Sequence, residues 1–407
     1  MAGLVGRVGM KSVLYLTRNG LLEPLGQSQI FSYLRGLSID YKIVLITFEK
    51  PADWSNIEAV AKFKDLCLLH GIHWVPLRFR AQPRPFAAPL AIAQLAVAAL
   101  WQWRHHSKPD LVHARSYVPA AIALLLHIVT RVPFIFDMRA LWPEELITAK
   151  QLRRGSYLHR GLIWLERRCL KEASAVVSLT EAAISYLQSE YPIEVASQRL
   201  VVIPTCADMQ RFKPAPTNSA GPMVIGCIGT VLSGWFKFQW LKAFFEALHR
   251  ADPYARFEII SRDNPSDIRA ALLPWAPWQD RLHIEAAPPD QMPIILLRHT
   301  VSVMFYAGGS TSELGRSPTR MAEVLGSGKP VVANSGVGDV GLVLSTHRVG
   351  VLASSPEPAA MDACVSELQL LLADPGLAVR CRLVANDLFS LEAGTAAYRL
   401  LYTQILA

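Results

Sequence analysis

The sequence predicts an α/β protein with two doubly wound domains, each built on an open parallel sheet. Three observations carry that expectation. The chain has 407 residues, too many for one typical hydrophobic core. An apolar run, a glycine-bearing turn and a helical pattern follow one another at residues 11–37, and again from Met223. Residues 301–339, VSVMFYAGGSTSELGRSPTRMAEVLGSGKPVVANSGVGD, read as strand, loop, helix, strand and Gly-rich loop, which is half of an open nucleotide site.

Residues 11–17, KSVLYLT, form a buried-type strand. The loop 18–26 leads into a helix at about 27–37, where Ile30, Tyr33, Leu34 and Leu37 keep a 3.6-type spacing. Residues 42–48 are the next strand. Segment 78–108 is unusual: Arg78, Arg80 and Arg84 precede a mostly apolar stretch that closes on Trp101, Trp103, Arg104, His105, His106 and Lys108. Two readings stand, an interfacial helix that docks on a membrane and a buried crossover helix. The strand in 111–117 places His113 and Arg115 at a C-terminal strand edge, where ligands bind in open α/β sheets; a structural histidine is the alternative. The strand PFIF ends in Asp137 and Arg139, with Trp142, Pro143, Glu144 and Glu145 next. Asp137 and Arg139 are either a structural ion pair or part of a crevice. A basic helix at 157–173 has a solvated face, strands follow at 175–179 and 201–204, and the Pro/Gly/Ser-rich stretch 213–222 reads as a linker.

The second half opens with a strand at 223–228, the loop from Gly229 to Gly234 and a helix start, an arrangement suited to phosphate. Lys237 is the nearest cation, and Arg262 follows the strand FEII; each is a diphosphate candidate or a plain surface cation. A short strand follows at 282–285. In the segment 301–339, Ser317 suits an N-cap and Pro318 the first helical position. The amides of Pro318's neighbours favour an anion, and Arg320 adds a fork of donors. Glu323 lies about 7.5 Å further along the axis, where a carboxylate can take both hydroxyls of a ribose. The alternative is an ordinary capped crossover helix with a solvated glutamate. Helices at 359–372, 377–388 and 391–406 close the chain.

Composition bounds the partners. With 51% hydrophobic and 18% charged residues the chain is globular, and no run reaches the ~18 apolar residues that a spanning helix needs. The N-terminus shows no secretory signal. Six well-separated cysteines without a CxxC pair indicate neither zinc nor a disulfide framework, which suits a reducing cytoplasm. Net charge is +8 and uneven: through Ala215 there are 26 Lys and Arg against 16 Asp and Glu, and beyond it 15 against 17. A basic first half suits a membrane surface or an anionic lipid carrier. No nucleic-acid motif stands out, so no nucleic-acid partner is expected.

The segment SPTRMAEVLGSGKPVVANSGVGD resembles the donor site of family 4 glycosyltransferases. That family pattern is a Glu, seven residues, then Glu-x-(apolar)-x-x-Gly-x-Pro-Val-Val. Glu323 matches the second Glu, the ribose ligand; the first falls at Gly315, with Glu313 two residues off register. The resemblance extends more weakly along the chain. Gly26 matches a loop glycine that lets backbone approach the donor or acceptor, and His113 matches the first His of an Asp-x-x-His-x-His-Ser turn whose second His is here Arg115. Residues 137–144 match Asp-(apolar)-Arg-x-(apolar)-Trp-Pro-Glu.

The resemblance implies the GT-B fold: α/β, two Rossmann-like domains facing a central cleft, with the last helix crossing back. The expected domains are 1–213 for the acceptor, 214–388 for the nucleotide sugar, and 389–407 as the returning helix. It also implies a retaining, metal-independent transfer from a nucleotide-diphosphate sugar to a hydroxyl of a saccharide or lipid-linked saccharide, in polysaccharide, O-antigen or glycolipid assembly at the inner face of the membrane. Donor-side residues would be Gly26, Gly229, Lys237, Arg262, Ser317, Pro318, Thr319, Arg320 and Glu323. His113, Arg115 and Arg139 would act at the sugar, and Asp137 and Glu144 on the acceptor side. Two alternatives stay open: a GT-B sugar-nucleotide epimerase or hydrolase, and a sugar-nucleotide-binding partner subunit without catalysis.

Overall fold

The computed structural model describes residues 9–79, 84–105, 108–214, 221–272 and 277–407. The expected linker therefore lies partly outside the described residues, as do Arg80 and His106 and the side chain of Arg84. The chain forms two compact units. Unit 1 runs to Pro204 and takes in Gly394–Ala407; unit 2 is Thr205–Ala393.

Unit 1 holds β1 (Ser12–Thr17), β2 (Lys42–Glu49), β3 (Ile72–Arg78), β4 (Leu111–Arg115), β5 (Phe134–Asp137), β6 (Ala175–Ser178) and β7 (Leu200–Val202). They pair in parallel in the order β3-β2-β1-β4-β5-β6-β7. Every residue of β1, β4, β5 and β6 is buried, as expected for strands covered on both faces. The winding reverses between β1 and β4, so the strand order opens a crevice at their carboxyl ends.

Unit 2 repeats the plan with β8 (Val224–Ile228), β9 (Arg256–Ile260), β10 (Leu282–Glu285), β11 (Val301–Met304), β12 (Val331–Asn334) and β13 (Gly350–Ala353). Their order is β10-β9-β8-β11-β12-β13, all parallel, with the reversal between β8 and β11. One side of this sheet packs an aromatic core. Phe245 lies 4.4 Å from Phe257 and meets Trp278 edge-on at 5.3 Å, all fully buried.

The boundary of unit 2 lies before the expected linker because residues 205–212 are already fastened to it. Thr205 bonds to Ser317, Ala207 bridges Ser390, and Arg382 donates to the carbonyls of Met209 and Gly326. The last helix, Leu391–Leu406, belongs to unit 1 from Gly394 onward. There Arg399 pairs with Asp40 and donates to the Gly36 carbonyl, and Tyr41 bonds Thr403.

The first helical segment begins earlier than its periodicity predicts. It starts at Pro24, which suits a first turn, passes through a π-turn at Gln27–Phe31 and continues as Ser32–Leu37. Gly26 has a packing cause here: a Cβ at this position would stand 1.9 Å from the Gly20 carbonyl oxygen. Gly26→Ala should therefore cost about 1–3 kcal/mol or more by forcing the loop off the helix. Urea unfolding should show a lower midpoint at unchanged slope; an unaltered midpoint would refute the packing account.

Candidate functional site

In unit 2 the candidate site is built where β8 and β11 end. β8 runs into Gly229, whose φ of 141° suits glycine. The expected phosphate-binding loop then meets an internal anion. The carboxylate of Asp263, just past β9, accepts from the amides of Val231 at 2.7 Å and Leu232 at 3.0 Å. Lys237 is also engaged: its Nζ lies 4.3 Å from the centre of the Trp240 ring, and its amide donates to the Phe305 carbonyl. Arg262 stands exposed beside this loop.

The two Gly-rich loops after β11 and β12 are clamped together. Asn334 accepts from the Tyr306 amide at 2.9 Å and donates to the carbonyls of Tyr306 and Ser335. The Gly309 amide donates to the Gly336 carbonyl, and a Cβ on Gly308 would press on that same oxygen at 3.0 Å. Arg316 covers the Trp235 ring at 4.9 Å and the Tyr306 ring at 5.9 Å. Its guanidinium also holds Glu313, which is 1% exposed, at 2.9 Å. The Glu313 carbonyl accepts from the Gly338 amide. Glu313 thus ties the loop interior together.

The helix after this loop spans Thr319–Gly326 with Pro318 as its N-cap residue, one position later than the sequence suggests. Ser317 is not the cap. Its hydroxyl accepts from the Thr205 amide at 3.2 Å, and its carbonyl accepts the Thr205 hydroxyl at 2.6 Å. The long-range pair wins because Thr205 is fixed by its own neighbours. Arg320 pairs with Glu323, whose side chain is 17% exposed. Burial pushes the Glu323 carboxyl pKa up, and Arg320 and Arg211 pull against it. Burial likewise pushes the Tyr306 hydroxyl up to about 12. The site thus brings together Thr319, Arg320 and Glu323 at one helix start, with Arg316 in the loop before it.

In unit 1, four of the expected residues form one buried network. Asp137 is fully buried. Its Oδ2 accepts from Tyr398 at 3.0 Å and lies 3.2 Å from His113 Nε2 and 3.7 Å from Arg115; Arg139 stands 3.8 Å from Oδ1. Burial alone would raise the Asp137 pKa, but Arg139, His113 and Arg115 outweigh it and bring it down to about 2. Burial pushes the His113 pKa down, so the imidazole is neutral. Because the carboxylate only accepts, Nε2 carries the proton, and Nδ1 accepts from the Tyr402 hydroxyl at 2.7 Å. The catalytic expectation for His113 thus meets a ring with both nitrogens already bonded. Arg139 has a left-handed backbone, φ 62°, and its Nη1 finds no hydrogen-bond acceptor among the described residues. Glu144 is nine-tenths buried and paired with Arg154 at 2.5 Å.

The open part of unit 1 lies elsewhere. Parallel strands share one carboxyl edge, so the residues that follow β1, β2, β3 and β4 converge: Arg18, Lys50, Phe79 and Ser116. All four line a cleft of about 390 Å³, with Asn19, Glu23 and Trp142. No sequence motif singles out Arg18, Lys50, Phe79 and Ser116; their position just past each strand does. Ser116 holds φ 80° and ψ 173°, a region that disfavours side chains. The corresponding loop, 18–26, is again fixed by a carboxylate: fully buried Glu49 accepts from the amides of Leu21 at 2.7 Å and Leu22 at 3.1 Å.

Glu258, His283 and Glu285 lie close enough to share a cation. Arg298 already bridges the two glutamates at 2.8 and 2.9 Å, occupying one oxygen of each.

Replacing Asp137 by Asn should cost about 3–5 kcal/mol, since two buried guanidinium groups would lose their anion. Tyr398→Phe, which removes a single donor, should cost about 1–3 kcal/mol. The depressed Asp137 pKa stabilises the fold fully above the ordinary 3.8, and that contribution is lost as pH falls toward about 2. Urea midpoints across this range should fall more steeply in the wild type than in Asp137→Asn; parallel curves would contradict the network.

Comparison with known proteins accords with this architecture. Residues 47–206 match the glycosyl transferase 4-like domain family. No curated protein matches the chain by sequence. Among solved structures, sucrose-phosphate synthase from Thermosynechococcus elongatus is 15% identical with a TM-score of 0.68, over 97% of this chain and 99% of that one. Anabaena HepE in complex with UDP and glucose is 16% identical with a TM-score of 0.65, over 97% and 99%. A glycosyltransferase from Rickettsia africae is 15% identical with a TM-score of 0.66, over 98% and 99%. The fold is that of the GT-B glycosyltransferases.

Proposed function

We propose that this chain, a family 4-like glycosyltransferase with the GT-B fold, transfers a sugar from a nucleotide-diphosphate donor to an acceptor hydroxyl. The observation that carries the reading is the start of the Thr319–Gly326 helix, where Arg320 and Glu323 stand together at the edge of the unit 2 crevice. A diphosphate at that helix end would meet the helix amides and the Arg320 guanidinium, which pairs with Glu323. Glu323 then takes the ribose hydroxyls. As the bond from the anomeric carbon to the diphosphate oxygen breaks, the acceptor oxygen bonds that carbon and its proton leaves with the diphosphate. These groups stabilise the leaving charge without a metal ion. Retention of configuration is the outcome we expect from the resemblance of the SPTRMAEVLGSGKPVV segment. The complexes of Anabaena HepE with UDP and with UDP-glucose make a uridine donor the first to test.

The acceptor side falls to unit 1. The cleft at the ends of β1–β4 offers Asn19, Ser116 and Trp142 to a saccharide. Arg139, whose Nη1 is buried without a hydrogen-bond acceptor among the described residues, is held on Asp137 with His113 and Arg115. We further propose contact with an anionic membrane through the Arg84–His105 helix. Ala91, Leu95, Ala99 and Gln102 bury one stripe of it, as a crossover helix should, while Val97 and Trp101 stay 66% and 50% exposed on the other. Among the described residues no helix is long and apolar enough to cross a membrane. Assembly of a polysaccharide, O-antigen or glycolipid would suit such a location.

UDP should raise the melting temperature of the wild type, and Glu323→Ala should weaken its binding by about 10- to 100-fold, the range for a lost charge-assisted hydrogen-bond pair. Because the Glu323 pKa is raised and the carboxylate is the acceptor, affinity should fall on acidification above the ordinary pH of 4.5. No shift with any nucleoside diphosphate would overturn the reading. Binding without turnover would favour the non-catalytic partner, which the glycine at 315 also suits.

Trp101→Ala combined with Val97→Ala should at least halve cosedimentation with phosphatidylglycerol vesicles. Undiminished cosedimentation would remove the membrane contact.

A further inference from the structure

Tyr306 follows β11, where the strand order of unit 2 reverses. The Asn334 clamp uses only its backbone. That side chain, from the end of β12, binds the Tyr306 amide at 2.9 Å and its carbonyl at 3.0 Å. On the other side Tyr306 pairs with Phe236 in an antiparallel bridge. The Lys237 amide donates to the Phe305 carbonyl there, and the Ala307 amide to the Trp235 carbonyl. The ring is also seated. It meets the Phe236 ring edge-on at 6.1 Å, and the Arg316 guanidinium lies 5.9 Å from its centre.

The hydroxyl takes no part in this packing. It makes no hydrogen bond among the described residues, although the side chain is partly buried. A tyrosine hydroxyl drawn out of water ordinarily finds a partner. The charged groups that act on it are Arg320, Arg316 and Glu323, those of the helix start and of the loop before it, with the Cys227 thiol as a further titratable neighbour. Burial pushes the hydroxyl up to about 12, with both arginines pulling against it, so it keeps its proton and donates. The other polar groups around this crevice are engaged. Arg316 holds Glu313, Arg320 pairs with Glu323, Lys237 lies over the Trp240 ring, and Asp263 fills the amides of Val231 and Leu232. A protonated hydroxyl on a fixed backbone is an unused donor among them.

We propose that the Tyr306 hydroxyl is a donor-site residue that gives a hydrogen bond to the diphosphate of the nucleotide substrate. The helix start carries Arg320 and Glu323, and the same two charges act on the hydroxyl. A ligand oxygen held by the first therefore stands near the second. A neutral donor has one advantage here over a further arginine: no neighbouring carboxylate captures it in an ion pair, so it stays available. As the bond from the sugar to the diphosphate breaks, negative charge grows on the phosphate oxygens. The hydroxyl bond strengthens at that moment, with no proton transferred. The proposal rests on the glycosyltransferase reading for the presence of a diphosphate, and goes beyond it in giving Tyr306 a role.

The test compares the wild type with Tyr306→Phe, on the full chain, by isothermal titration calorimetry. The probes are UDP, GDP and ADP, with the matching nucleosides measured by displacement at millimolar concentration. Phe keeps the ring on Phe236 and leaves Asn334 its backbone partners, and the hydroxyl has no internal bond to lose. The melting temperature without ligand should therefore stay at the wild-type value. For the diphosphate that binds most tightly, Tyr306→Phe should lower affinity about 10- to 100-fold, the range for a lost hydrogen bond to a charged group. Affinity for the matching nucleoside should not change. Equal diphosphate affinity in the two proteins overturns the proposal. So does an equal loss for diphosphate and nucleoside, which would place the hydroxyl on the ribose or base. If a diphosphate binds the wild type and the substitution changes nothing, Tyr306 fails alone and the donor reading stands. If none of the three diphosphates binds the wild type, the donor reading fails and Tyr306 falls with it.

Discussion

Each unit fixes the loop after its first strand with a carboxylate taken from the next strand over. Glu49 does this at the end of β2 and Asp263 just past β9. In both cases two successive amides point at one carboxyl group, the geometry a phosphate would otherwise meet. Hydrogen bonds to a charged group contribute about 1.5–3 kcal/mol each, so a ligand phosphate would have to displace several kcal/mol of internal bonding to enter. This internal bonding occupies both pairs of loop amides. In unit 2 it leaves the start of the Thr319–Gly326 helix with Arg320. In unit 1 it leaves the cations that follow the strands.

Unit 1 carries a second constraint, the burial of Asp137 beneath the last helix. A buried carboxylate is costly unless its charge is matched and its lone pairs are filled. Here Arg115 and Arg139 match the charge, and His113 and Tyr398 hydrogen-bond Oδ2, while the buried Oδ1 has the Arg139 ion pair and no hydrogen bond among the described residues. Tyr398 and Tyr402 both come from residues that follow unit 2 in the chain, so unit 1 cannot complete this cluster from its first 204 residues. The same packing sets the backbone of Arg139 in a left-handed conformation, a cost accepted where the surrounding structure over-determines it.

Much of this architecture was legible in the sequence because it follows from local pattern. The apolar runs, the Gly-rich turns and the last three helices are periodicities of two or 3.6 residues, and the order of strand and helix leaves few topologies for the sheets. The boundaries that moved did so through distant partners. Ser317 left the cap for Thr205, 112 residues away, and Lys237 was drawn over the Trp240 ring. Glu49 and Asp263 reach their loops from 28 and 32 positions off, and no local spacing marks them. The cleft residues were readable in principle: they occupy the first position past each of four parallel strands, a rule of the sheet and not of any motif.

The missing glutamate at 315 is best understood through charge. Glu313 is close in sequence, yet its carboxylate is buried on Arg316 and its carbonyl on the Gly338 amide. Swinging it outward would strand Arg316 over two aromatic rings and open the clamp between the loops after β11 and β12. A carboxylate that closes the loop interior cannot also be a free acceptor at a sugar. The same pairing leaves Arg320 with Glu323 at the helix start, and Arg262 beside the loop that Asp263 holds. On the proposed reading, recognition at this helix start would rest on its amides, Arg320 and Glu323 and not on a carboxylate at the sugar ring.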